Sequence, residues 1–411
     1  MDAAPTQPRV TRSRPRDRRA EIARNAGELF SVRGFHAVRM DDIAEASGIT
    51  ARALYRHYAN KQALLSHVVR EDQQRVIETL TGLTELPAAR RSVDSGLTAL
   101  TEAALDSRQL SLLWQREARH LDAEDYRLVR RRTRWIATTL QDLLVRPAGP
   151  GLDPAVIDVR SWVVVSIVSG HSLYDSPLPR SGLARDLIDA GRRVLAAPAA
   201  VGADERGART ARTSASRREQ LLYAAAGEFR EKGFAGVGID DIGARLGIVG
   251  PALYRYFDNK AELLVAAVTR LHEWLALEAT RAMHTPCPDD EVLALLIEGY
   301  IRIALEATDL LAVWLTERLY VPDAARERVD RIQADYLAEW QRWLSVARPD
   351  LPEARAATLV KTAKTIIDDC VRIPHLRRYP LFAAELSGSA LATLGLPSPR
   401  YRDRSPSTTR P

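Results

Sequence analysis

Two stretches of the chain carry basic and aromatic side chains at the same spacing. One is Thr50-Ala51-Arg52-Ala53-Leu54-Tyr55-Arg56-His57 with Asn60-Lys61 behind it; the other is Gly250-Pro251-Ala252-Leu253-Tyr254-Arg255-Tyr256 with Asn259-Lys260 behind it. On a helix, residues three and four apart share a face, so Arg52, Tyr55 and Arg56 project together. A guanidinium fork bonds both O6 and N7 of one guanine, worth ~1–3 kcal/mol of discrimination, which makes Arg52 the best base reader in the chain. Tyrosine, histidine and lysine suit phosphate oxygens, contacts that set register without reading sequence. The second stretch has no fork at 249–251. The alternative for either tyrosine is a half-core position.

Chemistry of other kinds finds little support. The eight histidines (36, 57, 67, 120, 171, 272, 284, 375) include no i, i+4 pair, so no H-E-x-x-H metal helix exists. Two cysteines, Cys287 and Cys370, cannot build a disulfide scaffold or a four-ligand zinc site, and they favour a reducing compartment. Gly236-Val-Gly238 suggests a dinucleotide loop, but position 241 is Asp and no strand precedes it. There is no G-x-S-x-G elbow and no Walker loop. No cofactor, no metal and no catalytic residue is expected, and an enzyme remains only as a rival in which acid and base residues converge in space.

The two stretches belong to a repeat: residues 18–65 align without a gap onto 217–264, with 20 of 48 positions identical. Further on, Trp114 and Glu117 precede Trp314 and Glu317 by 200 residues. In a chain of 411 residues this implies two similar halves, each large enough for its own core. Ile22, Ala26, Leu29 and Phe30 follow the helical period, and strict alternation is scarce, so the fold class is all-α. Local signals place a first helix from about Arg18 to Gly34, a second from Asp41 to Gly48, with its two carboxylates as capping groups, and a third from Thr50 to about Tyr58. Asn259-Lys-Ala-Glu262 has capping-box spacing, whereas Asn60-Lys-Gln-Ala63 lacks the glutamate. This is a helix-turn-helix, with its last helix shaped for a major groove.

The expected organisation is a basic arm at 1–17, a head at 18–65, a helical body at 66–197, a linker at 198–216, a second head at 217–264, a second body at 265–397 and a tail at 398–411. Arm, linker and tail carry too little apolar surface to order alone. Lysine plus arginine total 59 against 53 acids, a net charge of +6, so any strongly basic surface must come from clustering. Arg12 and Arg14 before the first head, and Arg217 before the second, can enter a narrow minor groove; a solvated tail is the other reading. The longest apolar run, Trp162–Val168, falls short of the ~20 residues needed to cross a bilayer, and the N-terminus shows no apolar signal core, so we expect a cytoplasmic protein with no membrane partner.

Gly48 to Lys61 and Gly247 to Lys260 both resemble the signature of the TetR family of transcriptional regulators: a glycine turn, Leu-Tyr, an aromatic three positions later, and Asn-Lys, twice in register. The two-copy layout also resembles double-headed members of that family tied to a lipid-linked operon in mycobacteria. The resemblance implies a DNA-binding regulator, by family habit a repressor. It places Thr50, Ala51, Arg52, Tyr55, Arg56, His57 and Lys61 of the first head, and Gly250, Pro251, Tyr254, Arg255, Tyr256 and Lys260 of the second, against double-stranded DNA, the lysines on phosphates. It also implies release by a small hydrophobic, lipid-like effector. Candidate ligand residues are Trp114, Arg116, His120, Tyr126 and Trp135, with Trp162, in the first body, and Trp314, Glu317, Tyr320, Tyr336 and Trp340 in the second. Helix packing is the plainer reading of each aromatic.

One chain supplies two heads, so an intramolecular pseudo-dimer is expected, with further dimerisation open. Its seam would be a four-helix interface of 153–174 and 183–196 with 353–373 and 379–395. Trp162–Val168 would be buried there, while Lys361, Lys364, Asp368 and Asp369 make the partner side more polar. Unlike heads imply an operator that is not a palindrome. An architectural binder that bends DNA without reading bases is the second alternative.

Overall fold

Apolar residues at helical spacing and glycines at their ends build the first head. In the computed structural model, which describes residues 15–107, 110–200, 214–248 and 250–397, every regular element is a helix. Helix α1 (Pro15–Arg33) buries Ile22, Ala26 and Phe30 and stops at Gly34, whose φ of 77° few residues other than glycine adopt. Helix α2 (Met40–Ala46) and the short α3 (Ala51–Tyr55) are joined across Gly48, φ 61°. The first body comprises α4 (Lys61–Glu85), α5 (Val93–Leu105), α6 (Leu110–Glu117), α7 (Ala123–Leu140), α8 (Pro154–Ser169) and α9 (Arg180–Ala196), and α7 passes into a π-helical turn, Gln141–Val145.

The second copy repeats the plan. Helices α10 (Arg217–Lys232) and α11 (Ile239–Arg245) are followed by a 3-10 helix, Gly250–Arg255, at the position of α3. Its body comprises α12 (Lys260–His284), α13 (Val292–Glu306), α14 (Thr308–Glu317), α15 (Asp323–Ala347), α16 (Glu353–Cys370) and α17 (Phe382–Leu394). Helices α4 and α12 each run unbroken across the expected head–body boundary, so each head is built on a rigid rod that enters its body.

The copies join where expected: α8 and α9 pack on α16 and α17. Val163, Val164, Ile167 and Val168 are buried, while Trp162 is half-buried against His375. Counted with its flanking turn, 154–173 is the one stretch among the described residues long and apolar enough to cross a membrane, and most of it lies inside the molecule. A β-carbon on Gly170 would stand 2.6 Å from Thr365 Cγ2, so the helices meet too closely there for a side chain. Polar bonds fix the register: Tyr174 Oη to Thr362 Oγ1 at 2.7 Å, Arg355 to Asp186 at 2.5 Å, and Arg193 to the carbonyls of Ala392 and Thr393. Deepest is Arg160, 1% exposed, whose Nε donates to Glu385 Oε1 at 2.6 Å. Its other nitrogens bond the carbonyls of Leu195 and Pro198, and Glu385 accepts from Ala200 N, so the start of the linker is tied into the seam.

Candidate nucleic-acid interface

Thr50 caps α3, its hydroxyl accepting from Ala53 N at 3.2 Å. The turn before it has the same backbone bond in both heads, Ile49 N to Ala44 O and Ile248 N to Gly243 O, each 3.0 Å. Asp42 and Asp241 accept from the backbone N–H three residues before them, at 2.7 Å in both copies, the capping role expected of this acidic pair. Asn60 and Asn259 cap α4 and α12, whereas Glu262 bonds Asp258 N, one residue before the position a reciprocal box requires. Leu54 and Leu253 are fully buried, which turns the opposite face outward: Tyr55 and Tyr254 are 53% and 55% exposed. Arg52, Arg56 and Arg255 are exposed, His57 is half-buried and Tyr256 is exposed.

The reading helices differ. The first is α-helical and capped; the second, holding Gly250 and Pro251, is 3-10. Glycine and proline are the poorest α-formers, and a short 3-10 turn asks for less regular backbone. The first helix also ends at Tyr55, three residues short of the expected Tyr58.

Both signature lysines are committed inside their heads, which differs from the expected phosphate contact. Lys61 Nζ donates to the carbonyls of Phe35 and Val38, both at 2.7 Å, and stands 4.3 Å over the Phe35 ring. Lys260 makes the same contacts with Phe234 and Val237. These carbonyls lie just past the end of the head's first helix, where an ammonium is the nearest donor available. Burial lowers both lysine pKa values. Arg19 and Arg218 lie over the buried rings of Tyr58 and Phe257, and Arg217 bonds Gln220. Arg12 and Arg14 lie outside the described residues.

Each head is latched to a body by a carboxylate. Glu117 Oε2 accepts from Phe35 N at 3.2 Å and Glu317 Oε2 from Phe234 N at 2.9 Å. An aromatic ring covers each phenylalanine, His120 on Phe35 at 4.9 Å and Tyr320 on Phe234 at 5.4 Å. Burial, together with the charges of Arg119, His36 and Lys61, lowers the His120 pKa from 6.5 to about 3. Burial raises that of Glu117. Arg116 bonds Ser31 O and sits beside Glu117. Four expected ligand residues, Arg116, His120, Glu317 and Tyr320, are thus placed at head–body junctions.

Of the remaining candidates, the first copy's are dispersed. Trp114 stacks on Tyr126 at 6.0 Å, while Tyr126 and Trp135 are 37% and 41% exposed. Trp162 lines a cleft of about 260 Å³ with Arg134, Arg146, Asp158 and Tyr379, on the outer side of the seam. In the second copy, Tyr336 and Trp340 come together with Tyr300, ring centroids 5.6–6.0 Å apart, while Trp314 stands edge-on to His272 at 4.9 Å. Tyr300 Oη donates to Asp368 Oδ1 at 2.6 Å, and Lys364 bonds the other oxygen of that carboxylate. His272 Nε2, Gln333 Nε2, Tyr336 Oη and Trp340 Nε1 are buried without a well-formed hydrogen bond; Gln333 faces His272 and Trp340 faces Tyr336 as their polar neighbours. Burial pushes the Tyr300 and Tyr336 phenols up and the His272 imidazole down. The sequence reading missed Tyr300, His272 and Gln333; a histidine and a tyrosine within apolar helical faces were the available signals.

The model of bacterial regulatory proteins of the tetR family matches residues 22–68 and 221–267, the two heads. The N-terminal domain of that family is thus present twice in this chain. The chain is 34% identical over 99 residues to the HTH-type transcriptional activator FasR of Mycolicibacterium smegmatis, covering 24% of this chain and 44% of FasR. To the HTH-type transcriptional repressor KstR2 of Rhodococcus jostii it is 30% identical over 113 residues, covering 26% of this chain and 53% of KstR2. The chain therefore spans about half the length of these curated relatives. Among solved structures, the ketosteroid regulator KstR2 of Mycobacterium tuberculosis aligns with 46% of this chain and 97% of its own, at a TM-score of 0.38 and 23% identity.

Proposed function

We propose that this chain is a cytoplasmic transcriptional repressor that binds one non-palindromic DNA operator with two unlike heads. The observation that carries the reading is the contrast on one polypeptide between an α-helical reader exposing Arg52 and a 3-10 reader built on Gly250 and Pro251. Unlike side chains in equivalent positions select unlike base pairs, and a shared seam presents both to the same duplex. Tyr55, Arg56, His57, Tyr254, Arg255 and Tyr256 are exposed or half-buried on these surfaces, where phosphate contacts would set the register. In this reading the lysines support the heads from within and do not meet phosphates. One relative is named an activator and another a repressor, so the sign of regulation rests on the family habit.

Release is assigned to a small hydrophobic effector in the second body. The buried polar atoms of Gln333, Tyr336 and Trp340, which have only one another and His272 as loosely placed partners, lie among aromatic rings beside the Lys364–Asp368 pair. Apolar walls with a few convergent polar groups are the general pattern of such sites. An effector there would favour one head placement over another, and its differential affinity would limit the release.

Footprinting on the DNA upstream of the chain's own gene, at stated salt, tests the proposal. The expected footprint has two adjoining half-sites of different sequence. Arg52→Ala should weaken only one of them, by the ~1–3 kcal/mol of a lost bidentate contact, about 5- to 150-fold. A perfect inverted repeat bound by one chain per half would overturn it.

A further inference from the structure

The latches of the two heads are built alike but are not held alike. At the second, Arg119 of the first copy crosses to the second copy: its Nη2 stands 2.5 Å from Glu317 Oε1, and Glu317 is the residue that bonds Phe234 N. The pair is secluded, with 18% of the Arg119 side chain exposed and none of Glu317. Arg119 also lies against the stop of the second head's first helix. Its Nη1 reaches Phe229 O at 3.5 Å, and a β-carbon on Gly233 would stand 2.9 Å from its Nε.

Among the described residues, the first head receives no ion pair from the second copy. Position 319 is leucine where the first copy has Arg119; Leu319 Cδ1 and Tyr320 Oη approach Gly34, 3.5 and 3.6 Å from where a β-carbon would be, and neither forms an ion pair there. Glu117, the first head's carboxylate, is partnered by Arg116 of its own copy. The apolar interior repeats this inequality. Phe229, Leu253 and Leu264 of the second head are continuous with Val163, Ile167, Leu386 and Leu391 in the seam, whereas Phe30, Leu54 and Leu64 belong to a separate core shared only with the first body.

We propose that Arg119 is a positioning residue that fixes the second head to the bodies of both copies, leaving the first head as the one whose placement varies. A buried guanidinium–carboxylate contact is directional and tolerates little displacement, whereas a leucine against a glycine is non-directional and can slide. Movement of α6, which ends at Glu117 just before Arg119, would therefore be passed to the second head across the seam. Among the described residues, no ion pair runs the other way. The consequence for operator choice rests on the two-headed reading above; the mechanical coupling does not.

The test uses the full chain without DNA. Spin labels at Glu45→Cys and Ala244→Cys, exposed equivalents on the second helix of each head, are placed in a Cys287→Ser background, and the distance distribution between them is measured by pulsed EPR. Hydrogen exchange over 229–238 and 30–39 is followed in parallel. Arg119→Met should broaden the distribution and speed exchange at least 10-fold over 229–238, with 30–39 unchanged. Arg119→Lys, which keeps a positive charge at the latch, should fall between that variant and the parent. An unchanged distribution and exchange in Arg119→Met, or equal loosening of both heads, would overturn the proposal. Arg119→Lys matching Arg119→Met in both measurements would overturn it too, because the charge would then hold nothing. If the coupling passes and footprinting shows a symmetric operator, only the two-headed reading fails.

Discussion

The first body places Ile136 and Leu140 where the second has Tyr336 and Trp340. Gln73, which bonds Val129 O and Thr133, stands where the second copy has His272, whose Nε2 has only Gln333 as a loosely placed neighbour. The heads diverge in the same uneven way. Both keep the lysine clamp, the glycine stops and the carboxylate latch, while the reader changes from Thr50-Ala-Arg52 to Val249-Gly-Pro251. What holds each head has been retained, and what a head or body would touch has been free to change. Two identical subunits cannot divide labour in this way, because any substitution appears in both; a fused pair can.

That contrast has meaning only while the seam makes the halves one object, and its most severe test is Glu385→Ala. The substitution strands Arg160 in a site that is 1% exposed, and breaking a buried pair in this way costs about 3–5 kcal/mol. Calorimetry should show the whole transition moving down, with Arg160→Met in the same chain recovering much of the loss. A change confined to one of two separate transitions would mean that the halves fold independently.

A pH series sharpens the comparison of the latches. His120 is neutral when folded, its pKa depressed from 6.5 to about 3, mainly by burial. The unfolded chain therefore takes up this proton first: the stability that His120 lends is present above pH 6.5 and is lost as pH falls towards about 3. The second latch carries Tyr320 at that place and has no such loss. Urea midpoints measured from pH 7 to pH 4.5 should fall less steeply in His120→Tyr, and an unchanged slope would assign the pH dependence to other groups.

The smallest expected effect concerns the readers. Thr50→Ala removes the cap of α3 and should cost about 1 kcal/mol, seen as faster amide exchange over 50–56. The second reader should not respond, and a matching change over 250–256 would show that the heads are not locally independent.

Much of this arrangement was legible beforehand because its signals are short-ranged. Gly34, Gly48, Gly233 and Gly247 all take positive φ where helix stops were expected, and the second aspartate of each acidic pair caps its helix. The seam helices fell close to the expected ranges because Trp162–Val168 leaves a helix little polar surface to show to water. The latches were not legible. Glu117 meets Phe35 across 82 residues, and neither residue type announces the other. Lys61 read as a phosphate ligand because a lysine at a helix start looks the same whether its ammonium faces solvent or folds back onto two carbonyls. The aromatic candidates of the first body scattered because helical spacing fixes a side chain's face without fixing which neighbour covers it.

The amino-acid sequence by itself determined the duplication, the helices with their stops and caps, and the unequal readers, since each depends on backbone preferences acting over a few residues. Only the tertiary structure decided which charges meet: Arg119 with Glu317, Arg160 with Glu385, and Lys364 with Asp368 beside Tyr300. Most of these partners are far apart in the chain, and even the i, i+4 pair Lys364–Asp368 gains Tyr300 from another helix. Burial raises the cost of leaving any of them unpaired, so packing, which no local pattern encodes, selects the pairing.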